Sequence, residues 1–462
     1  MPPIPPLLKQ DPQQMKVDDV DASIWSRLRR NVSISILGSG FSVTIKLGQT
    51  ILLTRFLKIQ DYGRLLIVLN FFMFLDSFFG VRVSDVMFRF FQSLKEQGDL
   101  LALKTLLQFC LVISFATGLL TYIVVLIVSP WLAGYLYESP DLSPLFNIYG
   151  CTILISAFSG IYQPILRIYD RFAAIMIPNV VGSLVTFVLL LIYFAKASGG
   201  NHDLRIIVAA FTIGILVQVI PPLVQALMLV WPFLVGVAAG NKPTTAVNLR
   251  PQLVRFLFNS NLSGYLKFAT DPGDVFLLGL FSSPTQVALY GLAKQLASPL
   301  ALLQVTLQTA ITPEITSLMA RLKLNELRQF VRRFIRSSIL FGGILLLFAF
   351  LLGQLLIPQL FAAQYAAALP IFYCLVVAAW FLLVLLMFRP LAISLDLLKW
   401  HNLVLLVSAV FLFGLVLAGK LTAWTMAFVQ LGEATILRSC FSLLVWKKLR
   451  DKQANPVAAP GG

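Results

Sequence analysis

Lys267, Asp271 and Asp274 follow one another at spacings of four and three in the stretch "YLKFATDPGDVFLLGLF", whose other residues are mostly apolar. On a helix those spacings place all three within about 60° of circumference, so they form one charged stripe. Pro272 stands in the stripe, and a proline there removes a backbone hydrogen bond and kinks the helix. Other ionisable residues are also set within apolar runs: Lys46, Lys294, and the cluster Arg82, Asp85 and Arg89. Lysine and arginine in a low-dielectric surround bind a concentrated anion, while a carboxylate there can take up a proton or a sodium ion. Asp76, Glu314 and Glu433 extend the set of such carboxylates.

Elements that place charges in apolar surroundings must themselves be apolar, and the composition agrees. The chain has 462 residues, 58% hydrophobic and 12% charged, about half the charge of a soluble domain. Apolar runs long enough to span a bilayer recur from about Ser33 to Trp446. An ordinary soluble enzyme is excluded. The net charge of +16 reports membrane topology and not a nucleic-acid partner, because the basic residues sort by loop. No small-residue cleavage site follows the arginines at 27, 29 and 30, so no removable signal peptide is expected. Cys110, Cys151, Cys374 and Cys440 lack CxxC or Cys/His spacing and are expected to be small packing residues. Neither His202 nor His401 has a metal-ligand partner nearby in sequence, and no metal or other cofactor is expected.

The runs predict twelve helices, at about 32–57, 65–91, 104–129, 145–166, 174–195, 205–230, 252–281, 286–318, 332–357, 367–388, 402–419 and 422–446. One side of the alternate loops holds most of the basic residues, from Arg27 through Lys95, Arg171, Arg255 and Arg333 to Lys452. The other side has only Lys58, Arg64, Lys196, Arg205 and Lys420. Basic loops stay in the cytoplasm, so both termini are expected there, in a multi-pass plasma-membrane protein.

A shift of 228 residues lays Tyr62-Gly63 on Tyr290-Gly291 and Leu94-Lys95 on Leu322-Lys323 without a gap. Each YG is expected in or beside an external turn, Gly63 supplying backbone freedom and Tyr62 a membrane-interface ring. The same shift maps Lys46 onto Asp274, and these opposite charges are expected to face one another across a cavity. Each half then carries an internal amphipathic segment, "SLKEQGDLLALKTLLQF" and "ARLKLNELRQFVRRF". The phenylalanines of "NFFMFLDSFFG" are expected to face lipid. An even number of spans per half gives parallel repeats, the plan of two-lobed transporters with a site between the lobes. The expected organisation is a cytoplasmic segment 1–31, an N-lobe 32–230, a linker 231–251, a C-lobe 252–447 and a disordered tail 448–462.

The stretches "LLTRFLKIQDYGRLLIVL", "DVFLLGLFSSPTQVALYGLAKQL" and "ITPEITSLMARLKLNELRQFVRR" resemble the polysaccharide-biosynthesis type of oligosaccharide flippase, in the multidrug/oligosaccharidyl-lipid/polysaccharide (MOP) exporter superfamily. The resemblance implies an all-α membrane protein of two six-helix lobes around a V-shaped central cavity, like that of the multidrug (MATE) branch. It also implies a substrate, a polyprenyl-pyrophosphate-linked oligosaccharide for O-antigen, capsule or exopolysaccharide, flipped to the outer leaflet by alternating access. The expected partners are that lipid, the bilayer, and a polysaccharide polymerase with its glycosyltransferases; the protein is expected to be a monomer that binds no nucleic acid.

On this basis Lys46, Lys267 and Lys294 are expected to hold the pyrophosphate, with Arg82 and Arg89 receiving it near the cytoplasmic entrance. Asp271, Asp274 and Asp85 are the candidates for coupling to H+ or Na+, and Pro272 for gating. A structural account competes with this one: Lys267 and Asp271 as an i, i+4 ion pair, and Arg89 reaching to the headgroups. No P-loop motif is present, which favours an ion gradient as energy source and a non-enzymatic role. Three rivals stay open: a multidrug or metabolite antiporter of the same superfamily, a membrane polymerase or glycosyltransferase, and a scaffold without transport activity, against which the buried charges argue.

Overall fold

Backbone groups in hydrocarbon must find their partners within their own segment, and in this chain helices meet that demand. The structure is a computed structural model that describes residues 17–136, 142–196, 202–235, 251–254, 256–257, 273–320, 324–395 and 397–454. Among the described residues there are sixteen α-helices and no strand. The N-terminal half contains α1 (Val17–Phe56), α2 (Ile59–Phe79), α3 (Val83–Gln97), α4 (Leu100–Trp131), α5 (Leu142–Ser156), α6 (Ser159–Ile168), α7 (Ala173–Lys196) and α8 (Leu204–Val235). The C-terminal half contains α9 (Asp274–Phe281), α10 (Pro284–Ala320), α11 (Leu324–Leu360), α12 (Ala368–Val384), α13 (Phe388–Ser394), α14 (Leu398–Leu417), α15 (Ala423–Gly432) and α16 (Arg438–Ala454).

The described helices group into eleven spans and the end of the expected seventh, six to a lobe, because α2–α3, α5–α6 and α12–α13 are broken spans and α15 runs into α16 through a π-helical turn, Glu433–Leu437. Five of the described helices are long and apolar enough to cross a membrane on those criteria alone, and six if α5–α6, bent by 40°, counts as one. The others are shorter, interrupted or more polar. The seventh span is described at its two ends, 251–257 apart from residue 255, and α9. Lys267, Asp271 and Pro272 lie outside the described residues, so the predicted charged stripe is described only at Asp274.

The buried apolar side chains fall into three masses. One is shared by both lobes and runs from Leu53 through Phe71, Phe146, Phe276, Tyr290 and Tyr365 to Met426. A second lies mainly in the N-lobe, around Val86, Phe91, Leu103 and Ile165, and takes in Leu253 and Leu257 from the start of the seventh span. A third is confined to the C-lobe, around Ile315, Leu327, Met387 and Val445. The lobes therefore join at one end and diverge at the other, where the basic loops lie. This is the V.

The joined end is fastened by close backbone approach. A Cβ built on Gly63 would fall 1.9 Å from the Pro284 carbonyl oxygen, and one on Gly291 would fall 2.4 Å from Leu66 Cδ1. The two YG glycines thus let α2 and α10 touch, the role small residues play between membrane helices. Their tyrosines are buried, Tyr62 at 2% exposure against the Tyr365 ring and Tyr290 at 0%. The expectation of an interfacial Tyr62 and a flexible Gly63 is corrected here: both lie in the first turns of α2, where the lobes meet. Phe71 and Phe72 are likewise buried, Phe71 meeting Phe276 of the other lobe at 5.1 Å and Phe146 at 5.0 Å. Only Phe78 of that run is an exposed phenylalanine, so the lipid-facing assignment fails for the pair at 71–72.

Polar contacts close the rim. Arg55 Nε and Nη2 donate to the Leu360 and Gln359 carbonyls, 2.9 and 3.1 Å, at the C-terminus of α11. A cation at a helix C-terminus satisfies orphan carbonyls and the helix dipole together. Gln364 Nε2 donates to the Leu57 carbonyl, and its Oε1 accepts from the Ile59 amide. Within the N-lobe, Gly38 meets Met176 and Gly48 meets Phe187, so two of the three glycines of α1 pack it on α7. The first amphipathic segment is the end of α3, a left-handed Gly98 and the start of α4. The described part of the second is the first turns of α11.

Candidate functional site

Asp274 opens α9, where a carboxylate is favoured by the unpaired amides of a helix N-terminus. Its Oδ1 accepts from the Val275 amide at 2.7 Å. Tyr290 and Lys294, one turn apart on α10, point at it. The tyrosine hydroxyl donates to Oδ2 at 2.7 Å, and the ammonium donates to both oxygens at 2.6 and 2.7 Å. The carboxylate is 1% exposed and the lysine side chain 39%. The pair is thus asymmetric: the anion is sealed and the cation faces open space.

That space is a C-lobe cavity of about 280 Å³. Lys294, Arg389 and Arg438 line it together with Asp274 and Glu433, so its formal balance is one positive charge. Arg438 donates through Nε and Nη2 to Glu433 Oε1, at 3.2 and 2.9 Å. The π-helical turn produces this contact, since residues five apart do not share a face of an α-helix but are brought together by one wider turn. Arg389 sits in α13, just past the break in the tenth span, and its buried Nε has no hydrogen-bond partner among the described residues.

A second charged surface lies on the N-lobe. Lys46 on α1 is exposed although protein fills most of the space around it, and among the described residues it has no ion-pair partner. Thr50, one turn on, donates to the Lys46 carbonyl at 2.9 Å. Asp76 on α2 has the same combination of exposure and depth. The second span then breaks at Gly80–Arg82. Val83 N–H bonds the Val81 carbonyl at 2.7 Å, which makes Arg82 the centre of an inverse γ-turn with φ −72° and ψ 57°. Arg82 thereby leaves the helical line, and its guanidinium stands 3.9 Å from Asp85, both side chains 42% exposed.

A model of the family described as "polysaccharide biosynthesis protein" matches residues 52–370. The chain belongs to that family. Among solved structures, an inward-facing multidrug-resistance MATE transporter of the MOP superfamily is similar at 15% identity and TM-score 0.64, covering 90% of this chain and 96% of that one. An outward-facing MATE transporter aligns at TM-score 0.58, also at 15% identity, with 92% and 96% covered. The lipid II flippase MurJ, in an inward closed conformation, aligns at 0.60 and 12% identity, with 93% and 94% covered. These likenesses establish a MATE-type fold. No match was found among curated protein sequences.

Within this family member the predicted residues separate. Lys294 and Asp274 meet each other, although the sequence assigned one to substrate and the other to coupling. The expectation that Lys46 and Asp274 face one another across a cavity is corrected, because Asp274 is sealed and, among the described residues, its bonds come from α9 and α10. Arg89 stacks over Phe256 at 4.6 Å and Phe90 at 5.5 Å, a cation–π contact at the base of the N-lobe. Arg82 and Asp85 share the break in the second span. Arg389 and Arg438 were missed as site residues: Arg389 falls one residue past the predicted tenth helix, 367–388, and the five-residue spacing of Glu433 and Arg438 hides their pairing. A charge inside "LLMFRPLAI" was the available signal for Arg389.

Proposed function

We propose that this chain is a flippase that carries a polyprenyl-pyrophosphate-linked oligosaccharide from the cytoplasmic to the outer leaflet of the plasma membrane by alternating access. The observation that carries this reading is the excess of cations on surfaces at membrane depth: Lys294, Arg389 and Arg438 in the C-lobe cavity and Lys46 on the N-lobe. A diphosphate gains charge-assisted hydrogen bonds from such groups, which are strong in a low dielectric. Membership of a polysaccharide-biosynthesis family supports an oligosaccharide cargo. By the positive-inside rule the basic loops support a cytoplasmic position for the diverging end of the V and an outer position for the joined end. Coupling to H+ or Na+ would fall to a carboxylate not already neutralised at close range, and among the described residues Asp76 is one such candidate. The natural partners are a polymerase and glycosyltransferases acting on a monomeric carrier.

The test is leaflet transfer. Purified protein is reconstituted with a fluorescent lipid-linked oligosaccharide, and the fraction that a membrane-impermeant quencher can reach is followed with time. Protein-dependent transfer is expected, and Lys46→Ala should slow it at unchanged protein abundance. Chain growth without transfer would overturn the flippase assignment in favour of a polymerase. A multidrug antiporter is the second reading, favoured by the shared fold alone. An organic cation calls for a cavity dominated by carboxylate, and this C-lobe cavity has the opposite balance.

A further inference from the structure

The Lys294–Asp274 pair poses a problem for any site that must hold an anion. An ammonium has three N–H donors, and Lys294 spends two on one carboxylate. Asp274 cannot follow an incoming ligand, because it is sealed and tethered by Val275 and Tyr290. Lys294 can, since its stem is flexible and its side chain faces the cavity. The neighbouring cations stand differently: Arg438 is held by Glu433, and Arg389 has an Nε unspent among the described residues.

We infer that Asp274 is a built-in competitor for Lys294. Resting on the anionic-cargo reading above, the step is an exchange of ion-pair partners. A diphosphate oxygen takes Lys294 by drawing it off Asp274, and Asp274 recovers it when the headgroup leaves. No covalent bond changes. The competitor lowers affinity at equilibrium and hastens release, so one fixed carboxylate prevents the cation-rich cavity from trapping its cargo. Asp274 is thus a positioning residue that acts on the cargo through Lys294.

The experiment uses full-length protein in detergent, geranylgeranyl diphosphate as the probe, and calorimetric titration of wild type, Asp274→Asn, Lys294→Gln and the double variant. Asp274→Asn should bind at least about tenfold more tightly, the scale of one charge-assisted hydrogen bond returned to the ligand. Lys294→Gln should bind more weakly than wild type, and the double variant should match it, since the competitor acts only through the lysine. In the transfer assay Asp274→Asn should lower KM and kcat together; a merely structural role lowers kcat and leaves affinity unchanged or weaker. Asp274→Glu, which keeps the charge, should restore wild-type behaviour. If Asp274→Asn does not fold, the Lys294 Nζ resonance of 15N-lysine-labelled wild type, assigned from its loss in Lys294→Gln, should shift on adding probe. An unmoved resonance would overturn the exchange. Folded Asp274→Asn that binds no more tightly than a binding-competent wild type would overturn the competitor alone. No binding by any variant would overturn the anionic-cargo reading and the competitor with it.

Discussion

Gly63 and Gly291 are equivalent under the 228-residue repeat, yet a methyl group added to each should have unequal consequences. On Gly63 the new Cβ would lie 1.9 Å from the Pro284 carbonyl oxygen and 2.5 Å from its carbon, both backbone atoms at the start of α10. Ordinary contact requires α2 and α10 to part by more than an ångström. On Gly291 the obstacle is Leu66 Cδ1 at 2.4 Å, the far end of a side chain that can turn away. Overpacking against rigid atoms costs about 1–3 kcal/mol, and at about 1.4 kcal/mol per factor of ten Gly63→Ala should disfavour the joined end by roughly 5- to 150-fold. Gly291→Ala should shift the balance only a few-fold. The assay is a pulsed-EPR distance distribution between spin labels at Lys58 and Lys420, exposed positions on opposite lobes at the joined end. Cys151 and Cys440, which are exposed, are first replaced. The long-distance population should grow most in Gly63→Ala. Equal effects of the two alanines, or a larger one from Gly291→Ala, would refute the reasoning.

Arg55→Gln removes two charge-assisted bonds to the α11 C-terminus; at an exposed site this should cost about 1 kcal/mol, and the same label pair should report a several-fold gain in separated ends. Glu433→Gln leaves Arg438 without a charged partner and should lower the thermal unfolding midpoint in detergent, consistent with a loss of about 2–3 kcal/mol. Pairing it with Arg438→Met should recover much of that loss. Arg389→Met should weaken binding of geranylgeranyl diphosphate by about tenfold without lowering the unfolding midpoint. Arg89→Gln, at an aromatic contact outside the C-lobe cavity, should leave that affinity within about twofold.

The spans were legible because each must be long, apolar and helical, and the repeat was legible because the YG anchors keep their spacing exposed to simple alignment. The reason for those anchors was not. Tyr62 beside Lys58 and Arg64 has the composition of a membrane-surface turn, and only the approach of Pro284 from the other lobe reveals a packing site. Phe71 and Phe72 show the same limit, since in a membrane protein a phenylalanine suits lipid and core equally until its neighbours are known. Of the site, single charges could be read but not their partners. Lys294 and Asp274 are twenty residues apart on different helices, and Arg438 reaches Glu433 through a π-helical turn that i, i+4 reasoning passes over.

The apolar character of the joined end has a thermal consequence. Tyr62, Phe71, Phe74, Phe276 and Tyr365 would have to be wetted each time that end opens. Wetting apolar surface raises heat capacity by about 0.45 cal/K/mol for each Å², so the rate of a cycle limited by this step should follow a curved line against reciprocal temperature. Apolar association also weakens on cooling. The cold should therefore loosen the joined end of this protein, whereas a rim closed by ion pairs alone would show no such drift.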